Sequence, residues 1–283
     1  MLSTSENAHI TVGDLTFDVA ISGPADGEAV LLLHGFPESA AAWGPVSELL
    51  NASGLRTYTP NQRGYSPGAR PDGVDSYGVD RLAADVIGLL DALDLDTVHL
   101  VGHDWGATVS WVVAARHPDR ITSLTAVSVP HLAAFGRALR EDKDQQQRSS
   151  YIGLLRMEGK AEQVLLEDNA RRLRAMFGDA VAPELVDKHV ALLTEPGALT
   201  GALNYYRAMT SDLDQTPAVT VPTTYLWSTE DIAMGRAGAE MCGEFVDAPY
   251  EFIVLEGATH WIPEQRPTEL AKAILERTGT NPA

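Results

Sequence analysis

The chain has 283 residues, 45% of them hydrophobic and 21% charged, and a formal net charge of −18. That length suits one large domain or a core with an inserted subdomain, and the composition is ordinary for a globular protein. The acidic excess repels nucleic acid and anionic membranes, and no apolar run approaches spanning length, so neither is expected as a partner. Residues 1–9 lack a basic-then-apolar pattern and Cys242 is the single cysteine, which predicts a cytoplasmic protein with no intrachain disulfide.

In chain order, 10–12 and 15–21 read as strands around Gly13-Asp14, a hairpin signal. A short apolar run over 28–33 predicts a buried strand ending at His34-Gly35. A helix is predicted over 41–50, a strand over 55–59 and a Gly- and Pro-rich loop over 60–75. Leu82, Val86, Leu89 and Leu90 set the period of a helix over 79–93. A strand over 95–101, a helix over 107–116 and a strand over 121–129 follow. This alternation implies a mostly parallel sheet with helices on both faces. From 132 to about 213 only helical signals occur, and beyond 219 the alternation returns, with strands over 223–228 and 250–255 and helices over 235–245 and 267–277. The expected organisation is an α/β core formed by 1–131 and 214–283, with an inserted all-helical cap over 132–213. The charged, Gln-rich stretch 140–150 reads as a solvated helix face. Cys242 reads as a buried structural thiol, and only the chain ends read as disordered.

The chemistry centres on Val101-Gly102-His103-Asp104-Trp105-Gly106-Ala107. A buried strand, a tight turn of small residues and a helix form a nucleophile elbow, usually with serine at its apex. Here the apex is Asp104. A carboxylate there suits displacement at saturated carbon with formation of an alkyl ester, which points toward epoxides and organohalides. Breaking that ester needs a base for water and an acid to orient the base. Asp231 lies just past the strand 223–228 and His260 just past the strand 250–255, in the chain order nucleophile, acid, histidine. Glu230 is the rival acid and ranks below Asp231. His34-Gly35-Phe36-Pro37 follows an early strand, where the amides of Phe36 and Trp105 would form an oxyanion hole. The histidines show no metal-ligand spacing and no Gly-rich phosphate loop occurs, so neither metal nor cofactor is expected.

These motifs resemble those of α/β-hydrolase-fold enzymes of the epoxide hydrolase type, over 10–277. The resemblance implies the α/β-hydrolase fold with a helical cap, and hydrolysis of a small apolar epoxide to a vicinal diol by a monomer or homodimer. It further implies two cap tyrosines that hold the epoxide oxygen. In Leu203-Asn204-Tyr205-Tyr206-Arg207 the adjacent rings project about 100° apart on a helix, so one alone faces Asp104. The motif alignment selects Tyr206, with Tyr151 as its partner. Phe36, Pro37 and Trp105 are expected to line the substrate, and the Phe36–Pro37 peptide is expected to be cis. Haloalkane dehalogenases share the covalent step and are the alternative. A phenyl ring at Phe36 cannot donate to a halide, which favours the epoxide. The loop 62–71 departs from the commoner Arg-Gly-Tyr-Gly-x-Ser pattern, which bears on substrate class but not on fold.

Overall fold

In a computed structural model, which describes residues 6–280, the alternating strands close into one eight-stranded sheet. The disorder expected at the chain ends concerns 1–5 and 281–283, which lie outside the described residues. The strands are β1 (Glu6–Val12), β2 (Leu15–Ser22), β3 (Ala29–Leu33), β4 (Arg56–Pro60), β5 (Val98–His103), β6 (Ile121–Val127), β7 (Thr223–Glu230) and β8 (Tyr250–Thr259). Their order is β1-β2-β4-β3-β5-β6-β7-β8. β1 and β2 form the expected hairpin, with Val12 opposite Leu15, and β2 runs antiparallel to β4. Every later pairing is parallel. This is the mostly parallel sheet of the α/β-hydrolase fold.

Side chains alternate across a strand, and β3 shows the consequence. Val30 and Leu32 pack on one face with Trp43, Leu50 and Ile274. Leu31 and Leu33 pack on the other face with Leu89, Val109 and Val112. The first face is covered by α1 (Gly44–Ala52) and the C-terminal helix, the second by α2 (Val79–Ala92) and α3 (Trp105–Arg116). Each fully buried leucine in such a layer contributes about 1.5–3 kcal/mol relative to exposure. Between β6 and β7 the chain forms α4 (Leu132–Glu141), α5 (Lys143–Arg148), α6 (Ile152–Leu155), α7 (Lys160–Ala175), α8 (Pro183–Leu193) and α9 (Ala198–Ala208). α7 is two helical segments joined at 167–170. After β7 come α10 (Arg236–Met241), α11 (Ile262–Gln265) and α12 (Pro267–Thr278), the last completing the first face. Among the described residues no helix is long and apolar enough to cross a membrane.

The strand expected over 95–101 begins at Val98 instead. Leu95 caps α2: its amide bonds the Leu90 carbonyl at 2.9 Å and the Asp94 amide bonds Asp91 at 3.2 Å, with Asp94 at φ 56. That is a Schellman stop with aspartate in the left-handed position, where glycine is usual, so the apolar run hid the helix end. The helix expected over 235–245 is α10 followed by a 3₁₀ turn, Cys242–Phe245. Cys242 is fully buried, and burial pushes its thiol up to about 12. β3, β5, β7 and β8 run parallel, so their carboxyl ends share one edge, and Phe36, Asp104, Asp231 and His260 all follow those ends.

Candidate active site

Asp104 joins β5 to α3 with φ 51 and ψ −118, a conformation rare outside glycine. Its carbonyl accepts the Thr108 amide at 3.0 Å and so starts α3. The turn is held because its flanks are small: a Cβ on Gly106 would lie 2.0 Å from the Leu33 carbonyl oxygen. The same packing brings the loop after β3 against the apex. The Phe36 amide donates to Asp104 Oδ1 at 2.8 Å, and the Phe36–Pro37 peptide is cis. Trp105 supplies the first amide of α3, one of those without an intrahelical acceptor. Asp104 Oδ2 faces His260 Nε2 at 3.6 Å.

His260 follows β8, and its Nδ1 donates to Asp231 at 2.9 and 3.0 Å. Asp231 Oδ1 also accepts the amides of Ala233 and Met234 at 2.8 and 2.9 Å, which hold the carboxylate in the loop after β7. Burial penalises the Asp231 charge, but the His260 charge and these bonds lower its pKa on balance. Glu230, the rival acid, is exposed. For His260, burial pulls the pKa down. The Asp231 charge, the close approach of Asp104 and the hydrogen bonds to Asp231 outweigh it and raise the pKa well above the ordinary 6.5. The imidazole thus lies between the carboxyl groups of Asp231 and Asp104.

Two cavities of about 410 and 320 Å³ meet at this centre, and Asp104, Tyr151 and Tyr206 line both. Trp105 lines the first cavity, whereas Phe36 and His260 line the second. Pro37, expected among the lining residues, borders neither. α9 turns its two adjacent tyrosines apart. Tyr205 donates its hydroxyl to the Arg63 carbonyl at 2.8 Å and lines neither cavity. Tyr206 packs edge-on against Phe36 at 5.5 Å, Trp105 at 5.2 Å and Tyr151 at 6.4 Å between ring centroids. Burial, then neighbouring Tyr151 and Asp104, raises the Tyr206 pKa well above 10. Burial, then the charges of Asp104 and Asp231, does the same for Tyr151. Both phenols therefore keep their protons. The unusual 62–71 loop seats this helix. Gly64 lies so close to α9 that an added Cβ would come within 2.8 Å of Gly201. Arg70 ties the loop to the Gly64 and Tyr65 carbonyls and to Glu195.

Several supports carry no sequence signal of their own. His103 is fully buried; its Nδ1 bonds Glu38 Oε2 at 2.9 Å and its Nε2 bonds the His260 carbonyl at 2.9 Å. Ser128 Oγ donates to the same carbonyl at 3.2 Å. Glu38 Oε2 also accepts the Gly35 amide at 3.0 Å, so one carboxylate braces both the Phe36 loop and the His260 loop. The stretch 140–150 is not simply a solvated face. Gln145 is buried: its Nε2 donates to the Ala233 carbonyl at 2.8 Å and its Oε1 accepts the Gly235 amide at 2.8 Å. Arg148 donates to the Asp231 carbonyl. The helical insert thus grips the loop that carries the acid. Composition alone concealed this, because one glutamine in a polar run looks like its neighbours. Among the described residues no group of three or more His, Cys, Asp or Glu is arranged to hold a metal ion.

Residues 28–267 match the family of the alpha/beta hydrolase fold. The chain is 32% identical over 274 residues to the AB hydrolase superfamily protein YfhM of Bacillus subtilis, covering 94% of this chain and 96% of that protein. It is 30% identical over 302 residues to epoxide hydrolase A of Mycobacterium tuberculosis, covering 91% and 92% respectively. The crystal structure of epoxide hydrolase A from Mycobacterium thermoresistibile superposes with a TM-score of 0.85 at 28% identity, over 99% of this chain and 100% of that one. Fold, strand-end geometry and relatives agree: this chain is a member of the α/β-hydrolase-fold family of epoxide hydrolases.

Proposed function

We propose that the protein hydrolyses an epoxide to a vicinal diol through an ester on Asp104. One observation carries this reading. The Asp104 carboxylate has Oδ1 on the Phe36 amide and Oδ2 toward His260, and it shares its cavities with two protonated phenols. Oδ2 attacks an oxirane carbon, while Tyr206 and Tyr151 hydrogen-bond the ring oxygen and one of them protonates the departing alkoxide. The new ester has lost the Asp104 charge that helped keep His260 protonated, so the imidazole gives up its proton, which by way of solvent restores the phenol of the tyrosine that protonated the alkoxide, and His260 becomes a base. His260, held by Asp231, then takes a proton from water, which attacks Asp104 Cγ. The amides of Phe36 and Trp105 stabilise the negative charge that develops on Oδ1. Collapse breaks the Cγ–Oδ2 bond, the leaving alkoxide takes the proton from His260 and departs as the diol, and the Asp104 carboxyl passes its proton to the imidazole as the carboxylate is restored. In this reading 132–213 acts as a cap over a core of 1–131 and 214–283, and no cofactor takes part.

Styrene oxide and 1-chlorobutane separate this reading from dehalogenation. Purified protein should form phenylethanediol from the first and release no chloride from the second. Chloride release without diol would overturn the proposal.

The tyrosine assignment has its own test. Tyr206→Phe removes one hydroxyl and leaves the aromatic packing, so it should slow epoxide opening about 10²-fold, in the range of a lost general acid, without unfolding. Tyr205→Phe should retain rapid opening and instead lower stability by about 1 kcal/mol, through loss of its bond to Arg63. The reverse pattern in single-turnover rates would reassign the acid.

A further inference from the structure

The two cavities point to the shape of the substrate. Only Asp104, Tyr151 and Tyr206 belong to both, so the reacting ring lies where they meet and a separate space opens on each side. One space is walled by Leu132, Phe135 and Leu139 of α4 with Met209 and Leu213. The other is walled by Leu154, Leu155, Val164, Leu165 and Met176. Each alone, at about 410 and 320 Å³, has the size of a ligand pocket. Apart from Asp104, the charged side chains on the first are Arg140, Arg156 and Asp214, with Arg140 paired to Asp214. On the second, apart from Asp104 and His260, the charged side chain is Arg172. Arg140, Arg156 and Arg172 are all exposed, and apart from the hydroxyls of Thr108, Thr210 and Ser211 on the first space the remaining walls are mainly hydrocarbon.

A terminal epoxide carries one substituent and fills one space. An epoxide substituted on both carbons sends one arm into each. Every methylene placed against such walls strengthens binding about fourfold. We infer, on the epoxide hydrolase reading above, that the protein selects 1,2-disubstituted epoxides with an extended apolar arm on each oxirane carbon, any polar group being confined to the arm ends.

The test compares trans-5,6-epoxydecane, with a butyl group on each carbon, against 1,2-epoxyhexane, with one. The kcat/KM should be at least tenfold higher for the two-armed substrate, despite its more hindered carbons. Leu139→Trp narrows the first space and Leu154→Trp the second. Each should lower kcat/KM for trans-5,6-epoxydecane at least fivefold. Only one of them should do so for 1,2-epoxyhexane, and unchanged circular dichroism and melting temperature report an intact fold in both. Preference for 1,2-epoxyhexane, or sensitivity of trans-5,6-epoxydecane to one variant alone, would overturn the inference while leaving epoxide hydrolysis standing. Turnover of neither epoxide would remove the underlying reading and this inference with it.

Discussion

In a single turnover in oxygen-18 water with enzyme in excess, the label is expected in the Asp104 carboxylate and not in the diol. The reason is the division of labour between the two carboxylate oxygens. Oδ1 is held by the Phe36 amide at 2.8 Å, where an oxyanion would form, and Oδ2 is the oxygen on the His260 side, 3.6 Å from Nε2. Attack through Oδ2 makes that atom the ester oxygen. When water adds to Cγ and the Cγ–Oδ2 bond breaks, the diol leaves with an unlabelled enzyme oxygen, and the water oxygen stays on Asp104. Mass spectrometry of the peptide containing Asp104 reads the transfer. Asp104→Ala, which removes the nucleophile, should cost about 10⁴-fold or more in turnover with the fold intact. Label in the diol of the first turnover would mean direct attack by water, with Asp104 acting as a base.

His260→Gln is expected to uncouple the two half-reactions. Ring opening needs the Asp104 nucleophile and the tyrosine hydroxyls; hydrolysis needs the base. Turnover should fall by about 10²–10⁴-fold, the contribution of a positioned general base. Intact-protein mass should then rise by the mass of the epoxide, because the ester forms and persists. The pH behaviour follows from the two carboxylates that face the imidazole. Burial alone would lower the His260 pKa, and the charges of Asp231 and Asp104 raise it well above 6.5. Asp104→Asn removes one of those charges, as esterification does, so the imidazole signal in that variant should titrate at lower pH than in the wild type. His260→Gln without an adduct, or an unchanged titration in Asp104→Asn, would be incompatible with a base that is released by alkylation.

Much of this arrangement is legible in the chain because it is local. Gly102, Gly106 and Ala107 around Asp104 announce a turn too sharp for larger residues, and the buried runs on either side mark its strand and helix. Asp231 and His260 each follow a strand, and parallel strands bring their carboxyl ends to one edge, so order along the chain is enough to group them. Helical geometry says only that one of Tyr205 and Tyr206 faces Asp104, since neighbouring helical residues diverge by about 100°, and the resemblance to the family motif, not the geometry, selected Tyr206. The structure turns Tyr206 to the cavities and ties Tyr205 to Arg63.

What only the tertiary structure decided concerns pairs far apart in the chain. Leu95 looks like the first residue of a strand until its amide is seen closing α2. Gln145 and Arg148 look solvated until the insert folds them onto the loop of Asp231, 83 residues beyond Arg148. Glu38 and His103 stand 65 residues apart and meet in the interior to brace the carbonyl of His260. Sequence patterns report periodicity and turn chemistry, which depend on neighbours. By itself the sequence determined the sheet, the elbow and the order of the reactive groups. The supports around them, and the two separate spaces on either side of Asp104, arise from desolvation and hydrogen bonding between segments that share no periodicity, and these exist only once the chain has folded.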